Sequence, residues 1–96
     1  MIKPDSALYR WDKGIIERLL YASEPDTTQL TDAARLFCRY RDTTHLDLVT
    51  DINRAAQRWG MTMETVLAEA RAIWTSGWRP GDASESVSVG SGADAE

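Results

Sequence analysis

The sequence predicts an all-α protein, a compact bundle of four short helices followed by a disordered acidic tail. Three observations carry that expectation. Apolar residues recur at helical spacing in four separate segments. Helix-stopping residues (Pro25, the stretch Asp42-Thr43-Thr44, Gly60 and Gly77) fall between or after those segments. Beyond Pro80 the composition turns abruptly to Gly, Ala, Ser, Val and acid, too little apolar surface to order itself. The expected helical domain is therefore residues 1–80, and the expected tail is 81–96.

Asp12 is a natural cap for a first helix reaching about Ala22, with Ile15, Ile16, Leu19 and Leu20 as its apolar stripe. Ahead of it, Ser6 either caps an extra turn carrying Leu8, Tyr9 and Trp11, or those residues form an arm on the bundle. Pro25 then disfavours helical geometry at Glu24 and ends the element. Thr28 or Thr31 is expected to cap a second helix to about Arg41, with Leu30, Ala33, Ala34, Phe37, Cys38 and Tyr40 inward. Thr44 followed by Asp47 resembles a capping box for the third helix, whose inward residues are Leu48, Val49, Ile52, Ala55, Ala56 and Trp59. Gly60 ends it, as a residue free to take positive φ. Thr62 caps the fourth helix, with Val66, Leu67, Ala70, Ile73 and Trp74 as the apolar face and Gly77 at its close. Trp59 and Trp74 are thus expected to be buried near one another. Short connections favour antiparallel neighbours.

The bulk numbers restrict function. Ninety-six residues make one domain, which buries only about 60–65% of its unfolded surface and leaves little room for an enclosed active site. From Met1 to Arg79 the 11 basic residues (two Lys, nine Arg) meet 11 acidic ones, so this stretch is neutral. The net charge of −4 comes from Asp82, Glu85, Asp94 and Glu96. A neutral body with an acidic tail lacks the footprint of a general nucleic-acid binder. One cysteine, Cys38, permits no internal disulfide and suits a reducing cytoplasm. The first ten residues carry no apolar run, and no apolar stretch approaches the ~20 residues that span a bilayer, so a soluble cytoplasmic protein is expected.

Catalytic chemistry is not evident. Cys38 and His45 are single copies in separate segments, expected as a buried thiol and as a surface or capping residue. Asp47 and Asp51 lie at i, i+4, but nothing beside them completes a cation's oxygen shell. No glycine-rich phosphate loop opens a helix. No catalytic residue, cofactor or metal is expected, and the protein reads as non-enzymatic.

Two surface patterns remain. The stretch from Ala56 to Val66 has the spacing of a DNA-binding helix-turn-helix: a small residue, Gly60 four positions later, then an apolar residue six beyond that. Its fourth helix, however, sets Glu64 and Glu69 against one Arg71, and Glu69 stands where such motifs keep an apolar residue. Arg35, Arg39 and Arg41 with Tyr40 form the densest basic and aromatic cluster, able to meet an anionic partner or to pair with Asp32, Asp42, Asp47 or Asp51. Trp11 and Trp78, if exposed, are further interface candidates.

The chain also resembles a known family. Leu8-Tyr9, Asp12, Leu19-Leu20, Glu24-Pro25, Ala34-Arg35-Leu36 and Arg39-Tyr40, then Asp47, Asp51, Trp59 and Arg71-Ala72-Ile73, are similar to a family of short cyanobacterial proteins classed as a domain of unknown function. The resemblance covers roughly Leu8 to Trp74, and the Glu-Pro joint with the Ala-Arg-Leu and Arg-Tyr that follow is its most specific part. Family members carry a Gly-Phe-Pro-Gly-like turn after Arg-Tyr; this chain has Arg41-Asp42-Thr43-Thr44-His45 there instead. The resemblance implies a cyanobacterial origin, a cytosolic or stromal-side location and a non-enzymatic role linked to photosynthetic physiology. The functional expectation is a small regulatory factor that binds another protein through Trp11, Arg35, Arg39, Tyr40, Arg41 and Trp78, without inserting into a membrane. The alternative is a helix-turn-helix transcriptional regulator.

Overall fold

A computed structural model describes residues 6–84; the expected disorder of 85–96 lies outside the described residues. Four helices follow one another: α1 (Ala7–Tyr21), α2 (Thr27–Tyr40), α3 (Leu46–Arg58) and α4 (Met63–Thr75). The all-α four-helix architecture is the one the sequence predicts. Helix α1 lies mainly against α3 and α2 mainly against α4; α2 also meets α3 and α1, whereas α3 and α4 touch little.

Helix α1 takes the Ser6 start that the sequence leaves open beside Asp12, and α2 and α3 start elsewhere than expected, each for a local reason. Helix α1 begins at Ser6, whose Oγ accepts from the Tyr9 N–H at 3.0 Å. Asp12 is therefore no cap: it lies inside the helix, fully buried. Helix α2 starts at Asp26, upstream of both threonines, because a reciprocal pair forms there. Asp26 Oδ1 accepts from the Gln29 N–H at 2.7 Å, and Gln29 Oε1 accepts from the Asp26 N–H at 3.0 Å. Thr31 instead turns its hydroxyl back on the carbonyls of Thr27 and Thr28. At α3 the cap position falls to His45, with no side-chain capping bond, while the Thr43 hydroxyl accepts from the His45 N–H. Only α4 starts as predicted, Thr62 accepting from the Thr65 N–H.

The α3 exit follows expectation. Gly60 at φ 74° donates to the Gln57 carbonyl and Met61 to the Ala56 carbonyl, which satisfies the last carbonyls of the helix and drops Met61 into the core. After α4 the chain turns at Pro80 and Gly81 (φ 103°), with the Asp82 N–H on the Arg79 carbonyl and the Arg79 N–H on Asp82 Oδ2. Residues 81–84, assigned to the tail by composition, thus fold back on the body. The Thr28 N–H donates to Ser84 Oγ at 3.0 Å, and Trp78 Nε1 donates to the Ala83 carbonyl at 2.9 Å.

The core comprises Ile15, Ile16 and Leu19 of α1, Leu30, Ala33, Leu36 and Tyr40 of α2, Leu48, Ile52, Ala55 and Ala56 of α3, and Val66 of α4. Two expected core residues lie elsewhere. The buried stripe of α2 runs through Leu36, one step round from the expected line, and so Cys38 is exposed. Trp74 is 50% exposed because α4 packs on α2 and turns it away from α3. Trp59 is buried as predicted, and its Nε1 donates to the Ala22 carbonyl at 3.1 Å, joining the C-terminal ends of α3 and α1. Trp74 lies outside the core cluster that contains Trp59, and no ring contact joins the two among the described residues. Trp59→Ala is expected to cost about 3–5 kcal/mol in urea unfolding, and Trp59→Phe, which loses mainly the hydrogen bond, about 1 kcal/mol.

Candidate functional site

The Arg-Tyr cluster that stands out in the sequence divides into an inner and an outer part. The inner part is structural. Asp12 Oδ2 receives both the Arg39 guanidinium at 2.6 Å and the Tyr40 hydroxyl at 2.7 Å, so one buried oxygen ties α1 to the last turn of α2. His45 is buried, with its ring 5.0 Å from that of Tyr9 and 5.7 Å, edge-on, from that of Tyr40. The Tyr9 hydroxyl donates to Asp47 Oδ2 at 2.9 Å. His45 thus sits at the head of α3 as expected, but inside the molecule.

Tyr40 is completely buried and belongs to no surface, and Arg39 is engaged by Asp12, an acid outside the four paired with it in the sequence reading. Both tyrosines hold their protons unusually tightly. Burial, then the hydrogen bond to Asp12 and that carboxylate's charge, push the Tyr40 hydroxyl up to about 12, against a smaller opposing pull from Arg39. The hydrogen bond to Asp47, then burial, then the charges of Asp47 and Asp51, raise Tyr9.

The outer part lines an open groove of about 590 Å³ between α2 and α4. Arg35, Cys38 and Arg41 follow one another along the α2 wall, with Ala34, Thr31 and the carboxylate of Asp32 beside them; Leu67, Ala70, Arg71 and Trp74 form the α4 wall, and Pro80 completes the lining. Arg35 bonds Asp32 one turn back at 3.1 Å, and Arg41 lies 3.7 Å from the exposed Asp42, a loose contact in water. Arg71 makes no ion pair among the described residues, although Glu64 shares a shallow extension of the groove with it. Beside the groove the Arg79 guanidinium lies 3.9 Å over the Trp74 ring and donates to the Trp74 and Trp78 carbonyls, covering the end of α4. Cationic heads over an apolar lining of Ala34, Leu67, Ala70 and Trp74 can hold an anionic group and its hydrocarbon neighbours together.

Of the residues singled out in the sequence, Arg35 and Arg41 meet in this groove. Tyr40 faces the other way, Arg39 reaches away from the groove to Asp12, Trp78 is half-buried and outside the groove lining, and Trp11 stands 70% exposed on α1. Arg71 and Trp74 were missed as site residues. Their signal was available: Leu67, Arg71 and Trp74 fall at i, i+4, i+7 on one stripe of α4. Spacing alone puts Leu67 and Trp74 in the core and Arg71 on the exposed side of α4, because nothing in the sequence says that α4 packs on α2. Among the described residues no three His, Cys, Asp or Glu are grouped so as to hold a metal ion, and no helix is long and apolar enough to cross a membrane.

Fold and groove together define a small four-helix protein with an open, arginine-rimmed surface channel. Comparison with known families goes one step further. A family model described as "Protein of unknown function (DUF3288)" matches residues 5–93, and the chain belongs to that family. No curated protein and no solved structure matches it.

The tyrosine pair sets a pH dependence. A hydroxyl whose pKa is higher folded than unfolded favours the folded state fully below its unfolded value near 10, and that contribution disappears as pH rises through the folded value. The urea midpoint is therefore expected to fall between pH 10 and about 12, the interval set by Tyr40, and to fall less in Tyr40→Phe. At neutral pH the same substitution should cost about 1.5–3 kcal/mol, the range for a hydrogen bond to a charged group.

Proposed function

We propose that this protein is a small regulatory factor that binds another protein, taking an acidic, partly apolar segment of that partner into the α2–α4 groove. The observation that carries the reading is the juxtaposition of Arg35, Arg41 and Arg71 over an apolar lining that includes the half-exposed Trp74. Arginine and tryptophan are the residue types most enriched where binding energy concentrates. Guanidinium groups grip carboxylates in a planar fork, and their weak hydration makes them easier to desolvate than ammonium groups. The resemblance noted in the sequence supports placing this factor in the cytoplasm of a cyanobacterium, in a process linked to photosynthesis.

The charge of α4 favours a protein partner over DNA. Its exposed surface carries Glu64 and Glu69 beside Arg71, and each phosphate contact would have to be made against those carboxylates. Helix α4 also leans on α2 and barely touches α3.

The test is a polarisation titration of two labelled peptides, one with glutamates flanking Leu and Val, the other with the glutamates changed to glutamine. The acidic peptide is expected to bind and the neutral one to bind at least about tenfold more weakly, with Arg71→Glu and Arg35→Glu each abolishing the difference. Equal binding of the two peptides, or indifference to both substitutions, overturns the proposal. A parallel titration of random duplex DNA at ~50 mM salt reads out the alternative: micromolar binding that weakens steeply with salt would assign the protein to the transcriptional regulators.

A further inference from the structure

The outer face of α1 carries a second feature, independent of the groove. Gly14 lies in the middle of this helix, where glycine is the weakest ordinary helix former. The packing of the described chain does not require it, because a Cβ built at Gly14 meets nothing within 4 Å. Around it stand Trp11, 70% exposed, and Tyr21, 86% exposed, with Arg10, Glu17 and Arg18, all exposed and none in an ion pair among the described residues. A glycine that leaves the backbone open, ringed by large aromatics and unpaired charges, is the pattern of a helix prepared for close approach by another backbone.

We infer that the partner on this face is a second copy of the chain, with the two α1 helices crossing antiparallel at Gly14 about a two-fold axis. The argument is self-complementarity. At about 100° and 1.5 Å per residue, Ala7, Arg10, Trp11, Gly14, Glu17, Arg18 and Tyr21 share an arc of about 120°. Glu17 and Arg10 lie on one flank of Gly14, about 4.5 Å beyond it and 6 Å before it. Trp11 and Arg18 lie on the other flank, about 4.5 Å before and 6 Å beyond.

A two-fold rotation that reverses the helix keeps each flank and inverts the heights, so Glu17 comes level with the second copy's Arg10, and Arg18 with the second copy's Trp11. Tyr21 comes level with the second copy's Ala7, a small residue opposite a large one. Every charge on the face thereby gains an unlike charge or an aromatic ring, and the symmetry forms each contact twice. The face is one 15-residue helix, so the interface falls at the small, weak end of the range and the dimer forms in the micromolar regime.

Sedimentation equilibrium of the full chain from about 1 to 500 μM, the regime expected for so small an interface, tests the inference. The mass is expected to rise from one chain toward two. Gly14→Gln is expected to hold the mass at one chain across the range while melting about 3–8 °C higher when dilute, because glutamine is the better helix former and its Cβ meets nothing within 4 Å among the described residues. Failed assembly in that variant therefore cannot be failed folding. Arg10→Glu and Glu17→Arg should each weaken the dimer at least tenfold, and the double exchange should restore it, since the two sites sit two turns apart on one helix and pair only between copies. A wild-type mass of one chain at every concentration, an unchanged dimer in Gly14→Gln, or no restoration by the double exchange overturns the inference.

Discussion

The arrangement of the helices depends on a single buried carboxylate. Asp12 sits within α1 with no exposure, and such a group is tolerated only where charge and donors meet it. Arg39 and Tyr40, adjacent in sequence at the end of α2, both reach Oδ2, one as charge and one as a neutral donor. Two neighbouring residues on a helix point about 100° apart, so both reach one oxygen only if α1 crosses α2 at the right height and angle. An apolar contact would permit sliding; this one fixes register. The constraint passes onward through Tyr40 to the His45 ring, through His45 to Tyr9, and through Tyr9 to Asp47 on α3. Three helices are thereby positioned by polar contacts at one end of the bundle, and Trp59 locks α3 to α1 at the other.

The groove follows from that clamp. With Tyr40 turned inward to Asp12, Cys38 lies on the opposite side of α2 with Arg35 and Arg41 flanking it toward α4, while Arg39, one turn from Arg35, reaches away from the groove to Asp12. The two halves of the basic cluster therefore do different work. One arginine neutralises a buried acid, and the others present charge at a surface.

Much of the fold could be read from the sequence, and the parts that could not share a cause. Periodicity located all four helices, and Gly60 and Thr62 marked the α3–α4 junction correctly because both act on residues within one turn of themselves. Asp12 was misread as a cap because the partners that bury it lie 27 and 28 positions away. Asp26 was overlooked because two nearby threonines offered the same local chemistry, and only the reciprocal bond with Gln29 separates them. Helical spacing and residue type together put Cys38 and Trp74 in the core, whereas α2 and α4 line up so that both border a groove. Residue type and spacing report on a helix's own faces; which face meets which neighbour is set by contacts distant in sequence.

Helix α4 draws its burial almost entirely from α2, with little from α3, and contributes only Val66 and Ala70 as fully enclosed side chains. The bond between Thr28 and Ser84 pins the chain beyond α4 across the head of α2, so α4 is tied to α2 both along its length and past its end. Helices α2 and α4 thus form one extensively packed pair and α1 and α3 the other, with the Asp12 clamp and the α2–α3 contact joining them. Both walls of the groove belong to the same packed pair, so its lining is set by side chains that α2 and α4 hold at a fixed spacing.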